Sequence, residues 1–150
     1  MKRFRFPLRP VGVLRAHQEA RARAAFASAV QVYVKAEELL ASTKARVAEL
    51  GKVLAAGRSG QFSPAESAAF FQHYRQESAA VIVAEKQVFT AAEAMRAARA
   101  TYLEATRAVK IIEKLEEKAR LAHRLETERV LQNELDEFAS LRRLRSSLVV

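Results

Sequence analysis

Apolar residues return every seven positions through most of this chain. One series runs Tyr74, Val81, Val88, Met95, Tyr102 and Val109, and three residues after its later members sit Ala84, Ala91, Ala98, Ala105 and Ile112. Such a repeat keeps one stripe of a helix turned toward a partner helix. A second series, Phe26, Tyr33, Leu40, Val47 and Leu54, precedes it. Two seams with a break between them predict an all-α fold: two long helices paired as an antiparallel coiled-coil hairpin, in one domain over residues 1–150. The predicted seam is Phe26, Tyr33, Leu40, Val47 and Leu54 against Val81, Val88, Met95, Tyr102 and Val109.

Proline and glycine supply the boundaries. Pro7 and Pro10 hold the residues before them extended, so residues 1–10 read as an arm. Helix 1 is predicted over residues 11–56, with Gly51 a weak point that costs about 1 kcal/mol relative to alanine. The turn is predicted over residues 57–63, with Gly57 taking the left-handed backbone that ends helices. Ser63-Pro64-Ala65-Glu66 is a capping box with proline in the first helical position, so helix 2 is predicted over 64–146. A turn near Gly60 puts Phe26 level with Met95 and Pro10 level with Ile111. Helix 2 beyond Leu115 is then expected to overhang. There the alanine-rich seam gives way to Leu121, Leu125, Leu131, Leu135, Phe138, Leu141 and Leu144. A helix that keeps an apolar stripe without an intramolecular partner meets another protein or a second copy.

Charge narrows the partner. The net charge is +9 with 29% charged residues, which favours anionic partners. Lys2, Arg3, Arg5, Arg9, Arg15, Arg21 and Arg23 face only Glu19 in the first 25 residues, and Arg142, Arg143 and Arg145 mark the other terminus. A basic coiled coil that binds nucleic acid is therefore the alternative reading. Against it, no recognition motif is present, and Phe4 and Phe6 alone make a small stacking platform.

Catalytic and cofactor chemistry finds little support. A slender helical pair has no interior in which to converge polar groups, so an enzyme is not expected. His17, His73 and His123 lack metal-ligand spacing, and neither a metal nor a cofactor is expected. Gly57 and Gly60 lack the Lys-Ser/Thr that completes a phosphate loop. Cysteine is absent. No apolar run reaches the roughly 20 residues that span a bilayer, and Pro7 and Pro10 interrupt any leader, so the cytoplasm is the expected location.

The two ends carry a resemblance. Phe4-x-Phe6-x-Leu8-x-x-Val11-x-x-Leu14-Arg15 is similar to the opening of the flagellar export protein FliJ family. Lys110-Ile111-Ile112-Glu113-Lys114-Leu115, followed by Gln132-x-Glu134-Leu135-Asp136-Glu137-Phe138-Ala139, resembles that family's C-terminal signature. The resemblance implies a non-enzymatic stalk of the type III export apparatus, peripheral at the inner face of the cell membrane. Its implied partners are the hexameric export ATPase, the export-gate membrane protein FlhA and export chaperones. The ATPase-facing residues would be Arg3, Arg5, Leu131, Leu135, Phe138, Arg142, Arg143 and Arg145. The gate-facing residues would be Phe70, Tyr74 and Val81, with Ser78 and Glu85 as poorer matches on the same face.

Overall fold

The computed structural model describes residues 3–57, 60 and 62–147. Arg58, Ser59 and Gln61 of the predicted turn lie outside the described residues, as do Met1, Lys2 and residues 148–150. Helix α1 is Arg9–Gly57 and helix α2 is Pro64–Ser147. The fold is all-α, with no strand among the described residues. The chain divides into a near-turn unit, Ala20–Glu104, and a terminal unit, Met1–Glu19 with Ala105–Val150. In each unit the two chain segments run antiparallel.

The near-turn unit is held by the seam that the heptads predict. Phe26, Tyr33, Leu40, Val47 and Leu54 on α1, and Val81, Val88, Met95 and Tyr102 on α2, are half-buried. The deepest positions are small: Thr43, Ala84 and Ala91 are 2%, 3% and 7% exposed. A small residue lets two helices approach closely, and the larger seam residues then pack around the contact. Each buried alanine removes little apolar area from water, so stabilisation accumulates along the seam and not at one deep core.

Register differs from the sequence expectation. The Phe26 ring stacks on Tyr102, with centroids 6.0 Å apart and planes 10° from parallel. Phe26 thus meets a residue one heptad beyond Met95. A shift of seven brings the same stripe back to face the same stripe, so periodicity alone leaves the register open. Side-chain pairs decide it. Besides the stacked rings, Lys44 Nζ lies 3.0 Å from Glu85 and Arg46 Nε lies 3.1 Å from Glu77. Exposed ion pairs contribute about 0–1 kcal/mol each, so they select among registers more than they stabilise the pair.

Thr43 is the one buried polar side chain among the described residues. Its hydroxyl donates to the Leu39 carbonyl at 2.7 Å and accepts from Arg46 at 3.3 Å, while Arg46 also reaches Glu77 across the seam. The hydroxyl is thereby satisfied, and an interhelical charge pair is tied to a fixed point on α1.

The reversal corrects one expectation. Helix α1 passes through Gly51 without a break and continues to Gly57. Gly57 does not take the left-handed backbone; Gly60 does, at φ 94°. Gly57 is needed for space, because a Cβ there would lie 2.1 Å from the Phe62 ring. That ring packs on Phe70 with centroids 5.1 Å apart. The capping box forms in both directions: the Ser63 N–H donates to Glu66 at 2.8 Å, and the Glu66 N–H donates to the Ser63 hydroxyl at 3.3 Å.

The bond from the Ser63 backbone N–H holds the Glu66 carboxyl below its ordinary value of 4.5. A lowered folded-state pKa stabilises above the unfolded value and is lost as pH falls through the folded one. The start of α2 is therefore expected to fray as pH drops below about 4.5, and Glu66→Gln should remove that dependence, read by amide exchange of Ala65–Ala68. Ala91→Leu should cost about 1–3 kcal/mol by overpacking, measured by chemical denaturation, while the exposed Ala100→Leu stays within about 0.5 kcal/mol. Spin labels at positions 26 and 102 should lie closer than labels at 26 and 95. The reverse order would overturn the register.

Candidate functional site

In the terminal unit the first turns of α1 lie close against α2. A Cβ added to Gly12 would sit 3.2 Å from Cγ2 of Ile112. Leu8 lends its carbonyl to the Gly12 N–H at 3.0 Å, and the Phe6 carbonyl accepts from the Arg9 N–H at 3.3 Å. The missing N–H of Pro10 costs nothing in this first turn.

The arm continues where α1 stops. Phe6 is 9% exposed, the best-covered large apolar side chain of the described residues. Phe4 meets His123 edge-on, with ring centroids 5.4 Å apart, and the Arg120 guanidinium lies 5.3 Å from the centre of the Phe4 ring. Arg120 is itself held by Glu116, through Nη2 at 2.6 Å and Nε at 3.1 Å. These residues fix one another: the carboxylate orients the guanidinium, which covers the aromatic face.

Helix α2 overhangs helix α1 as expected, but its first turns beyond Leu115 are covered by the arm. Glu116, Ala119, His123 and Thr127 continue the shielded side of α2, with Phe4 and Phe6 in place of a partner helix. Only beyond Thr127 is every described position of α2 exposed. Glu116, Ala119 and His123 follow the same seven-residue beat as Val109 and Ile112, with Thr127 one residue past it, but all four are polar or small. Hydropathy hid them, and Phe4-x-Phe6 opposite a continued beat is the signal that could have found them.

The leucines lie on other sides of α2. Leu121 and Leu125 are 54% and 57% exposed, and Leu135, Phe138, Leu141 and Leu144 are 61–68% exposed, with Leu131 at 39%. Steps of three residues from Leu135 to Phe138, Leu141 and Leu144 each turn the stripe back by about 60° on a helix that advances 100° per residue. The stripe winds through about half a turn in those three steps.

The predicted ATPase-facing residues do not form one cluster. Arg3 and Arg5 are exposed on the arm. Arg142, Arg143 and Arg145 are exposed on the last turns of α2, about 28 Å along the helix from His123 at 1.5 Å per residue. Arg145 lies in the final turn, where a cation complements the helix dipole. Leu131, Leu135 and Phe138 lie between the two basic groups. In the near-turn unit Phe70, Tyr74 and Val81 are half-buried in the seam, and Ser78 beside them is half-buried while Glu85 is exposed and paired with Lys44. The exposed large residues nearby are Phe71, Ile82, Val83 and Phe89, which the heptad reading passed over because they fall off its two seam positions.

A sequence profile of the flagellar FliJ protein matches residues 4–148. The chain belongs to the FliJ family. No curated protein and no solved structure matches it. Membership makes it a component of the flagellar export apparatus. Among the described residues no helix of this FliJ protein is long and apolar enough to cross a membrane, and no group of three or more histidine and acidic residues is placed to hold a metal ion.

Phe6 is the arm's principal anchor, and burying a phenylalanine side chain contributes about 1.5–3 kcal/mol. Phe6→Ala is expected to release the arm and leave α1 and α2 paired. Limited trypsin digestion at Arg3 and Arg5 should accelerate at least tenfold, while helical circular dichroism changes little. Unchanged cleavage would show that the arm is held by something else.

Proposed function

We propose that this FliJ protein is a non-catalytic stalk that inserts the far end of α2 into the hexameric export ATPase, and that ATP hydrolysis belongs to that partner. The observation that carries this reading is the winding apolar stripe of Leu131, Leu135, Phe138, Leu141 and Leu144. A flat partner reaches one side of a helix, whereas a partner that encloses it reaches a stripe that turns around it. Leu131, Leu135, Phe138 and Leu141 are 39–68% exposed, so covering what remains supplies roughly 3.5–7 kcal/mol at about 1.5–3 kcal/mol for each whole side chain. Association costs about 4–15 kcal/mol, so apolar burial alone does not make the complex tight. Arg142, Arg143 and Arg145 add attraction to an acidic lumen, with their main effect on encounter rate and orientation. Binding the assembled ring better than its separate subunits would promote assembly and activity by linkage.

The near-turn unit is left for the export gate, FlhA, and for chaperones. The family-derived contacts Phe70, Tyr74 and Val81 offer only their seam edges. Phe71, Ile82 and Phe89 would supply the rest of such a surface. The whole assembly would hold the protein in the cytoplasm at the inner face of the membrane.

Deleting residues 131–150 is expected to abolish co-migration with the cognate ATPase and stimulation of its hydrolysis, with Phe26–Tyr102 packing intact by the spin-label distance. Replacing Arg142, Arg143 and Arg145 with alanine should weaken binding, and more at 50 mM salt than at 300 mM, about 13 Å versus 6 Å of Debye screening. A truncated protein that still binds and stimulates the ATPase would overturn the reading.

A further inference from the structure

We infer that the arm and the first turn of α1 build a binding site for an acidic, extended segment of a partner protein, separate from the winding leucine stripe. Phe4, Phe6, Pro7, Pro10 and Val13 form the apolar part of a cleft of about 680 Å³, and Arg5, Arg9 and Arg120 rim it together with Glu116. Glu116 is the only carboxylate in that lining, and Arg120 already engages it through two hydrogen bonds. Arg5 and Arg9 form no ion pair with any described residue. Two guanidinium groups thus stand uncompensated over an apolar floor. A carboxylate presents two acceptor oxygens that match a guanidinium fork, so two acidic side chains on an extended chain suit Arg5 and Arg9. An apolar side chain between them suits the floor.

Charge complementarity fixes the occupant's chemistry. A nucleic acid would need a run of cations along a backbone track, whereas this cleft places few cations around phenylalanine and proline. Phe6 is covered by the chain's own packing, which leaves it unable to insert into a lipid surface while the arm stays docked. The site does not rest on the ATPase reading carried by the leucine stripe and by Arg142, Arg143 and Arg145, and it takes Arg5 out of the set that the family resemblance assigns to the ATPase.

Fluorescence anisotropy on the full chain tests the site, with two labelled 20-residue probes at 150 mM salt. One is oligo-glutamate; the other carries phenylalanine at every fourth position of the same acidic sequence. The phenylalanine-bearing probe should bind at least tenfold more tightly. Arg5→Glu with Arg9→Glu should weaken it by about 100-fold, at about tenfold for each 1.4 kcal/mol. The Arg142, Arg143 and Arg145 alanine variant should bind within twofold of the parent, and that variant separates this site from the ATPase-facing end. Equal binding of both probes, or an equal loss in the two arginine variants, would reduce the cleft to general basic charge and overturn the inference. Tighter binding of a 20-nucleotide single strand than of either peptide would overturn it in favour of nucleic acid.

Discussion

Two antiparallel helices that meet through alanines leave little freedom in how their larger residues are arranged. Ala84 and Ala91 bring the backbones of the near-turn unit together, and neighbouring positions must then accept rings and branched chains at the edges of a narrow contact. Phe26 over Tyr102 is one solution, and the Arg46–Glu77 and Lys44–Glu85 pairs are consistent with it. Because each seam contact buries little area, no single residue dominates. Thr43 shows how such a seam takes a polar group: its hydroxyl is satisfied by its own helix and by Arg46, so it specifies position without an unmet hydrogen bond.

The terminal unit solves the same problem with an irregular partner. Helix α1 begins at Arg9, yet α2 continues to present the shielded side of its heptad beyond that level. An extended arm with two aromatic rings covers it. Among the described residues the arm makes no backbone–backbone hydrogen bond to α2, and the Phe4 ring meets His123 and Arg120. The division of labour on α2 follows. One side is used internally through Glu116, Ala119, His123 and Thr127, and the leucines of the other sides remain available for a partner.

The exposed surfaces of this export component differ in chemistry. The end of α2 offers exposed leucines and Phe138 between charged residues. The arm cleft offers guanidinium groups above an apolar floor. The near-turn unit offers Phe71, Ile82 and Phe89 outside its seam. A partner that recognises one of these has little use for the others, which allows one small chain to serve several contacts.

Heptad spacing, the Ser63–Glu66 capping box and the prolines of the arm were enough to determine an all-α antiparallel pair and the start of α2, because those signals act within a few residues of one another. The exposed leucines beyond Leu121 were legible for the same reason. Register was not, since a seven-residue repeat matches itself at every shift of seven, and the meeting of Phe26 with Tyr102 together with the Lys44–Glu85 and Arg46–Glu77 pairs chooses among the alternatives. The role of Gly57 was not legible because local sequence shows that a glycine is present, not whether it serves backbone conformation or the space taken by Phe62. The arm's place on α2 also waited for tertiary structure: Phe4 and His123 are distant in sequence, and nothing in the polar run around Glu116 and His123 announces a partner until the chain brings one to it.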